Sequence, residues 1–251
     1  KMLNTLLKSQ GSQFVKRWPK APKVIFFAPP NAFQKELSQR FAIDLGVPVV
    51  SLENILLNIS EQAGQTEEFN HPFYLRVKSM VEAGDIDGLV KEKIPLKLLQ
   101  LTSASREGFL LTDFPKTIPE AEMLEEFRGG MNAFVHLNMP IDSTKVIQDT
   151  KFQCNDCGRE YYPVDISSPK DGIHINSFMP EDGHCFDCGS RDLVQGSDDA
   201  EFEASLGEYI ENKEELLGFY NHLGLLVDFD VKKGYDDYDK LRDKIQFTIK
   251  H

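Results

Sequence analysis

Short apolar runs alternate with segments of helical period along most of the chain, and this alternation limits the fold more than any other feature. VIFFA (24–28) reads as a buried strand, and the next segment, 33–45, sets Phe33, Leu37, Phe41 and Leu45 four apart on one helix face, which Gly46-Val47-Pro48 ends. A second strand is predicted at 49–51, then helices over 52–59, 73–83 and 88–101. GFLLTDF (108–114) is a third strand, IPEAEMLEEF (118–127) a helix with Pro119 in its first turn, and NAFVHLNMP (132–140) another strand. After residue 199 come a long acidic helix at 200–222, a last strand in LLVDFDV (225–231) and a closing helix at 236–249. Strands that alternate with helices build a parallel sheet covered on both faces, with ligands expected beyond the strand carboxyl ends. The fold class is therefore α/β.

Residues 152–196 break this rhythm with turn formers and aromatics, and they read as a small lobe inserted into the sheet domain. All four cysteines lie here, as Cys154 and Cys157 in one C-x-x-C and Cys185 and Cys188 in another, each pair followed by a glycine. Two such knuckles can set four thiolates at tetrahedral corners, the arrangement of a structural zinc. The alternatives are a pair of disulfides or free buried thiols, and His184 could replace one thiolate. Tyr161 and Tyr162 are expected to pack the small lobe.

With 41% hydrophobic residues in 251, the chain can bury a full core, and no apolar run approaches the roughly 18 residues that cross a bilayer. The net charge of -12 is unevenly spread: six basic residues from Lys1 to Lys23 meet no acidic one, leaving 22 basic against 40 acidic residues over the rest. An acidic body of this kind repels nucleic acid, and no nucleic-acid motif is present. The basic segment 1–23 has the composition of a mitochondrial transit peptide or its remainder; the alternative is a basic arm on an acidic protein.

GFLLTDFPKTIPEAEMLEEF resembles the adenylate kinase signature GFLLDGFPRTxxQAExLE, and GVPVVSLENIL is similar to that family's GIPxISTGDxL. CNDCGREY, CFDCGS and DDAEFEASL resemble the zinc-bearing LID lobe of the long adenylate kinases. The resemblance implies a P-loop NTPase-like core with a five-stranded parallel sheet over 24–151 and 197–251, an AMP-binding arm, and the LID at 152–196, with 1–23 outside it. It also implies phosphate-binding positions, and here the chain departs from the pattern. A phosphate loop needs glycines, a lysine and a hydroxyl residue. Their positions carry Ala28, Asn31, Phe33, Gln34, Lys35 and Glu36. Lys35 is one position late, about 100° around a helix from where the ammonium should point. On the AMP side Leu52 replaces a threonine, Leu57 and Lys116 replace arginines, Glu120 replaces the adenine-reading glutamine, and Thr112 and Asp113 replace Asp-Gly. Arginines of the LID approach fall near Ile147 and Lys151, and others on Gly196 and on Ser205 or Gly207.

Phosphoryl transfer relies on positioning and on cations that neutralise developing charge. Losing these residues together implies a catalytically inactive adenylate kinase-like protein, a structural or accessory subunit of a large, mitochondrial complex, with structural zinc and no expected Mg-ATP. The alternatives are an active nucleoside monophosphate kinase with a divergent loop, or a non-catalytic adenine-nucleotide sensor, and a cytoplasmic or axonemal setting. Partners are then protein subunits, with adenine nucleotide an open case. A cleft that presents Phe33, Leu52, Leu57 and Ile147, or the basic arm 1–23, is expected to offer a docking surface; the alternative is that these side chains fill a closed cleft.

Overall fold

The computed structural model describes residues 19–65, 67, 69–101, 104–163, 165–196 and 199–249. The chain enters strand β1 (Lys23–Phe27), whose burial on both faces explains its unbroken apolar run, and passes through a loop into helix α1 (Gln34–Leu45). Gly46, at φ 69°, ends that helix in the left-handed conformation that glycine adopts without strain. Strand β2 (Val49–Val50) leads to α2 (Leu52–Gln62), α3 (Pro72–Glu82), α4 (Ile86–Lys91), α5 (Ile94–Leu101) and α6 (Ala104–Glu107). Then come β3 (Phe109–Leu111), α7 (Ile118–Glu125), β4 (Ala133–Asn138) and α8 (Ile141–Thr150). The inserted lobe holds short strands β5 (Phe152–Cys154), β6 (Glu160–Tyr161), β7 (Ile166–Ser168), β8 (Ile173–Ile175) and β9 (Leu193–Gln195). Helix α9 (Asp199–His222), β10 (Leu226–Asp230), a 3-10 turn (Gly234–Asp237) and α10 (Tyr238–Thr248) complete the described chain.

The main sheet has five parallel strands in the order β10-β4-β1-β3-β2, with Val24 opposite Leu110 on one side and Ala133 on the other. The expected five-stranded P-loop kinase arrangement is therefore present. One face of β1 packs Val24 and Phe26 against Leu37 and Phe41 of α1 and Leu241 and Ile245 of α10. Ile25 points to the opposite layer, with Leu124 of α7 and Leu216 and Tyr220 of α9. A separate cluster joins Ile59, Val77, Met80, Leu89 and Leu98, so the arm α2–α5 has a core of its own.

The helices differ from the sequence reading at three places, one of them the short α6, which was not expected. The helix expected over 88–101 is two, because Lys93 adopts φ 54° and Pro95, which lacks an N–H, is tolerated only in the first turn of a new helix. Helix α8 was not anticipated: Ile141, Val146 and Ile147 are its few apolar residues, and Pro140 rather than a hydroxyl or carboxylate precedes it.

The lobe is also more closely tied to the sheet domain than its composition suggests. Its knuckle sheet, β6-β5-β9, has a small cluster of its own around Cys154, Tyr161 and Cys185. The β7–β8 hairpin, in contrast, sends Ile166, Ile173 and Ile175 into the same buried cluster as Val24 and Leu37. Tyr162 joins that cluster too, whereas Tyr161 packs the lobe as expected.

Candidate functional site

The loop from Ala28 to Phe33 lies at the carboxyl end of β1, where the sheet topology predicts a ligand. Its backbone takes left-handed conformations at Asn31 (φ 63°) and Phe33 (φ 58°), two positions where the family pattern has glycine. Asparagine tolerates this region, whereas a residue such as phenylalanine loses roughly 1–2 kcal/mol to it. Surrounding contacts hold both. Asn31 Nδ2 donates to Thr144 O at 3.2 Å and Gln148 Oε1 at 3.0 Å, and Asn31 Oδ1 accepts from Lys151 Nζ at 3.0 Å. The buried Phe33 ring lies 5.1 Å from the Tyr162 ring and against Gly234, where an added Cβ would come within 2.9 Å of it.

Gln34 stands at the lysine position of the pattern. Its Nε2 donates to Phe26 O at 2.6 Å and Thr112 O at 2.8 Å, so a neutral amide ties the end of β1 to the segment after β3. Lys35 turns away from the loop, as its place on the helix requires, and reaches Gly158 O in the lobe at 3.4 Å. Glu36 is partly buried in the first turn of α1; burial, then nearby Glu160, raises its carboxyl pKa against the backbone hydrogen bond and the charges of Arg159 and Lys35. Tyr162 Oη lies 3.5 Å from Glu36 Oε1 and 3.3 Å from Glu160 Oε2. Lys151 completes this group with a bond of 3.0 Å to Glu160 Oε1.

The opposite side of the cleft is organised by Asp113. Its carboxylate accepts from Ser51 Oγ at 2.7 Å, Glu53 N at 2.9 Å and Leu52 N at 3.3 Å, placing a negative charge at the positive end of α2. Ser51 Oγ in turn accepts from Asn54 N, capping the helix. Glu120 serves the α7 start in the same way, since its Oε2 accepts from Lys116 N at 2.7 Å and Thr117 N at 3.1 Å. Lys116 Nζ pairs with Glu208 Oε2 at 3.1 Å; burial lowers its pKa, but the pairing outweighs this and the net shift is upward. Lys116 and Glu208 line a cleft of ≈120 Å³ with Phe27, Ser205 and Tyr209. Beside it, His136 bridges Asp228 Oδ1 at 2.7 Å and Tyr209 Oη at 2.8 Å, with burial lowering the imidazole pKa.

The expected apolar docking surface is not formed. Phe33, Leu52 and Ile147 are buried at 5%, 2% and 0% exposure, and of the four residues only Leu57 is open, at 49%. These side chains fill the protein instead of lining a concavity. The sequence reading also missed the contacts from α8, although Thr144, Gln148 and Lys151 recur at i, i+4 and i+7 and so share one helix face.

The four cysteines converge, with all four Sγ atoms within 4.8 Å of one another. Cys154 and Cys188 are 3.6 Å apart, and Cys157 and Cys185 3.4 Å. A disulfide needs about 2.05 Å, so these are not disulfides. A tetrahedral zinc with Zn–S near 2.3 Å has ligand–ligand edges of about 3.8 Å, and the thiols fit such an ion. Tyr161 Oη donates to Cys185 Sγ at 3.1 Å and accepts from Phe186 N at 2.8 Å, orienting one ligand from outside the cluster. His184 lies outside it and accepts from Arg191 Nε at 2.7 Å. The cluster can bind a metal.

No family model matches the chain. It is 28% identical over 222 residues to a protein of Methanocella arvoryzae, covering 85% of this chain and 93% of that one. It is 27% identical over 237 residues to a protein of Archaeoglobus fulgidus, covering 90% and 99%. A protein of Thermotoga neapolitana is 27% identical over 222 residues, covering 85% and 92%. All three relatives are adenylate kinases. The similarity covers 85–90% of this chain, which is adenylate kinase-like. Among the described residues, no helix is long and apolar enough to cross a membrane.

Proposed function

We propose that the chain is a non-catalytic adenylate kinase-like protein that serves as a structural subunit of a larger, mitochondrial assembly, with zinc in its lobe. The observation that carries this reading is the Gln34 amide, bound to Phe26 O and Thr112 O where the resemblance calls for a phosphate-binding ammonium. Around it, Phe33 replaces a glycine with a buried ring, Glu36 brings a carboxyl to the first helical turn, and Asp113 holds the anion-attracting end of α2. Each contact consolidates the fold and supplies no positive charge to a transferring phosphoryl group. The basic composition of 1–23 supports the mitochondrial setting, although residues 1–18 lie outside those described.

The test is conversion of ATP and AMP into ADP with Mg²⁺, on zinc-loaded protein. No turnover above background is expected, nor after Gln34→Lys, because Phe33, Glu36 and the missing arginines remain. Turnover by the parent protein that Lys116→Ala abolishes would refute the reading. The alternative is weak adenylate binding without turnover, and calorimetric titration with AMP separates the two readings.

A further inference from the structure

In a kinase of this architecture an inserted lobe has to move for substrates to enter and leave. Here the lobe reaches the sheet domain through three kinds of contact at once. Ile166, Ile173 and Ile175 of its hairpin are at most 4% exposed and belong to the main buried cluster. The Phe33 ring packs on Tyr162 at 5.1 Å, and both are buried. A polar chain then runs from Thr144 and Gln148 through Asn31 to Lys151 and Glu160, and from Glu160 through Tyr162 to Glu36. The backbone adds a bond from His174 N to Lys232 O at 2.8 Å, which joins the hairpin to the segment after β10.

We propose that these contacts form a permanent latch, so that the lobe is a fixed wall of the protein and is not moved by adenine nucleotide. Opening it would expose three isoleucines and two aromatic rings to water and break the Lys151–Glu160 pair in one step, so no partial opening retains most of the contacts. Phe33, a loop side chain absent from the family pattern, provides one fastening on the sheet-domain side, and Lys151, held in place by Asn31, provides the other. The inference extends the proposed function from the chemistry of the loop to the mechanics of the lobe, and rests on that reading only for what the lobe no longer needs to do.

Amide hydrogen exchange on the zinc-loaded, full chain tests it, followed at Tyr162, His174 and Phe178, with β4 as internal reference. The latch predicts slow exchange at these amides that ATP, AMP and a dinucleoside pentaphosphate leave unchanged. Phe33→Ala should speed exchange at Tyr162 and His174 by about a hundredfold or more while β4 stays protected. Lys151→Met, which keeps the ring contact and serves if Phe33→Ala fails to fold, should speed it about fivefold. Fast exchange in the parent chain, nucleotide-dependent exchange, or no response to Lys151→Met would overturn the latch. The two ideas fail separately: ADP formation with unmoved lobe amides refutes the proposed function and leaves the latch standing. Nucleotide-driven change in the lobe without ADP formation refutes the latch alone.

Discussion

Replacing Gly234 by alanine tests how tightly Phe33 is built into the loop. Gly234 has φ +63°, and an added Cβ would stand 2.9, 3.0 and 3.2 Å from Cζ, Cε1 and Cε2 of the Phe33 ring. The left-handed backbone alone costs an alanine about 1–2 kcal/mol. Overpacking against a ring that is itself buried adds about 1–3 kcal/mol, for a total loss of about 2–5 kcal/mol. The two parts separate in a Phe33→Ala background, where the ring is gone and only the backbone part should remain. Urea unfolding of the parent, both single variants and the double variant, all zinc-loaded, should therefore give a coupling energy of about 1–3 kcal/mol. Equal destabilisation by Gly234→Ala with and without the ring would refute this account of Phe33.

Glu36→Gln should stabilise the protein at neutral pH and flatten its dependence on pH. The folded-state pKa of Glu36 is raised, so its contribution is complete below the ordinary carboxylate range and is lost as pH rises through the folded value. The facing charges are Lys35 on its own helix and Arg159 and Glu160 from the lobe, the latter paired with Lys151 at the end of α8, with Tyr162 between, and unfolding midpoints across pH 4–8 for parent and variant check the sign. Asp113→Ala removes three bonds at the start of α2 and should cost about 1–2 kcal/mol in urea unfolding. Chelation or Cys157→Ser should release one zinc per chain, measured by elemental analysis, and lower the thermal midpoint, because a closed four-thiolate site contributes folding free energy directly.

What the sequence disclosed follows the range of the interactions involved. Strand β1 and helix α1 were legible because a run of five apolar residues, 24–28, and a four-residue stripe are local patterns. The cysteine cluster was legible because two short knuckles admit few other uses, even across 27 intervening residues. Helix α8 was hidden by its polarity, since its buried face includes Ser143, Thr144 and Gln148, whose value depends on distant partners. The loop shows the same limit. The missing lysine and glycines can be read from the string, but Gln34 bonding to Thr112, 78 residues away, cannot. Nor could spacing tell an open apolar cleft from a filled one, because Phe33, Leu52 and Ile147 satisfy both patterns until their burial is known.

The Gln34 bridge has a further consequence on the proposed reading. A kinase that draws stability from bound nucleotide has a melting point that rises and falls with ligand supply. Here the contacts that secure the loop come with the chain, at fixed stoichiometry. A component of this kind keeps the same shape and endurance whether a compartment is rich in adenylate or starved of it, which suits a part that neighbouring subunits must be able to rely on when energy is scarce.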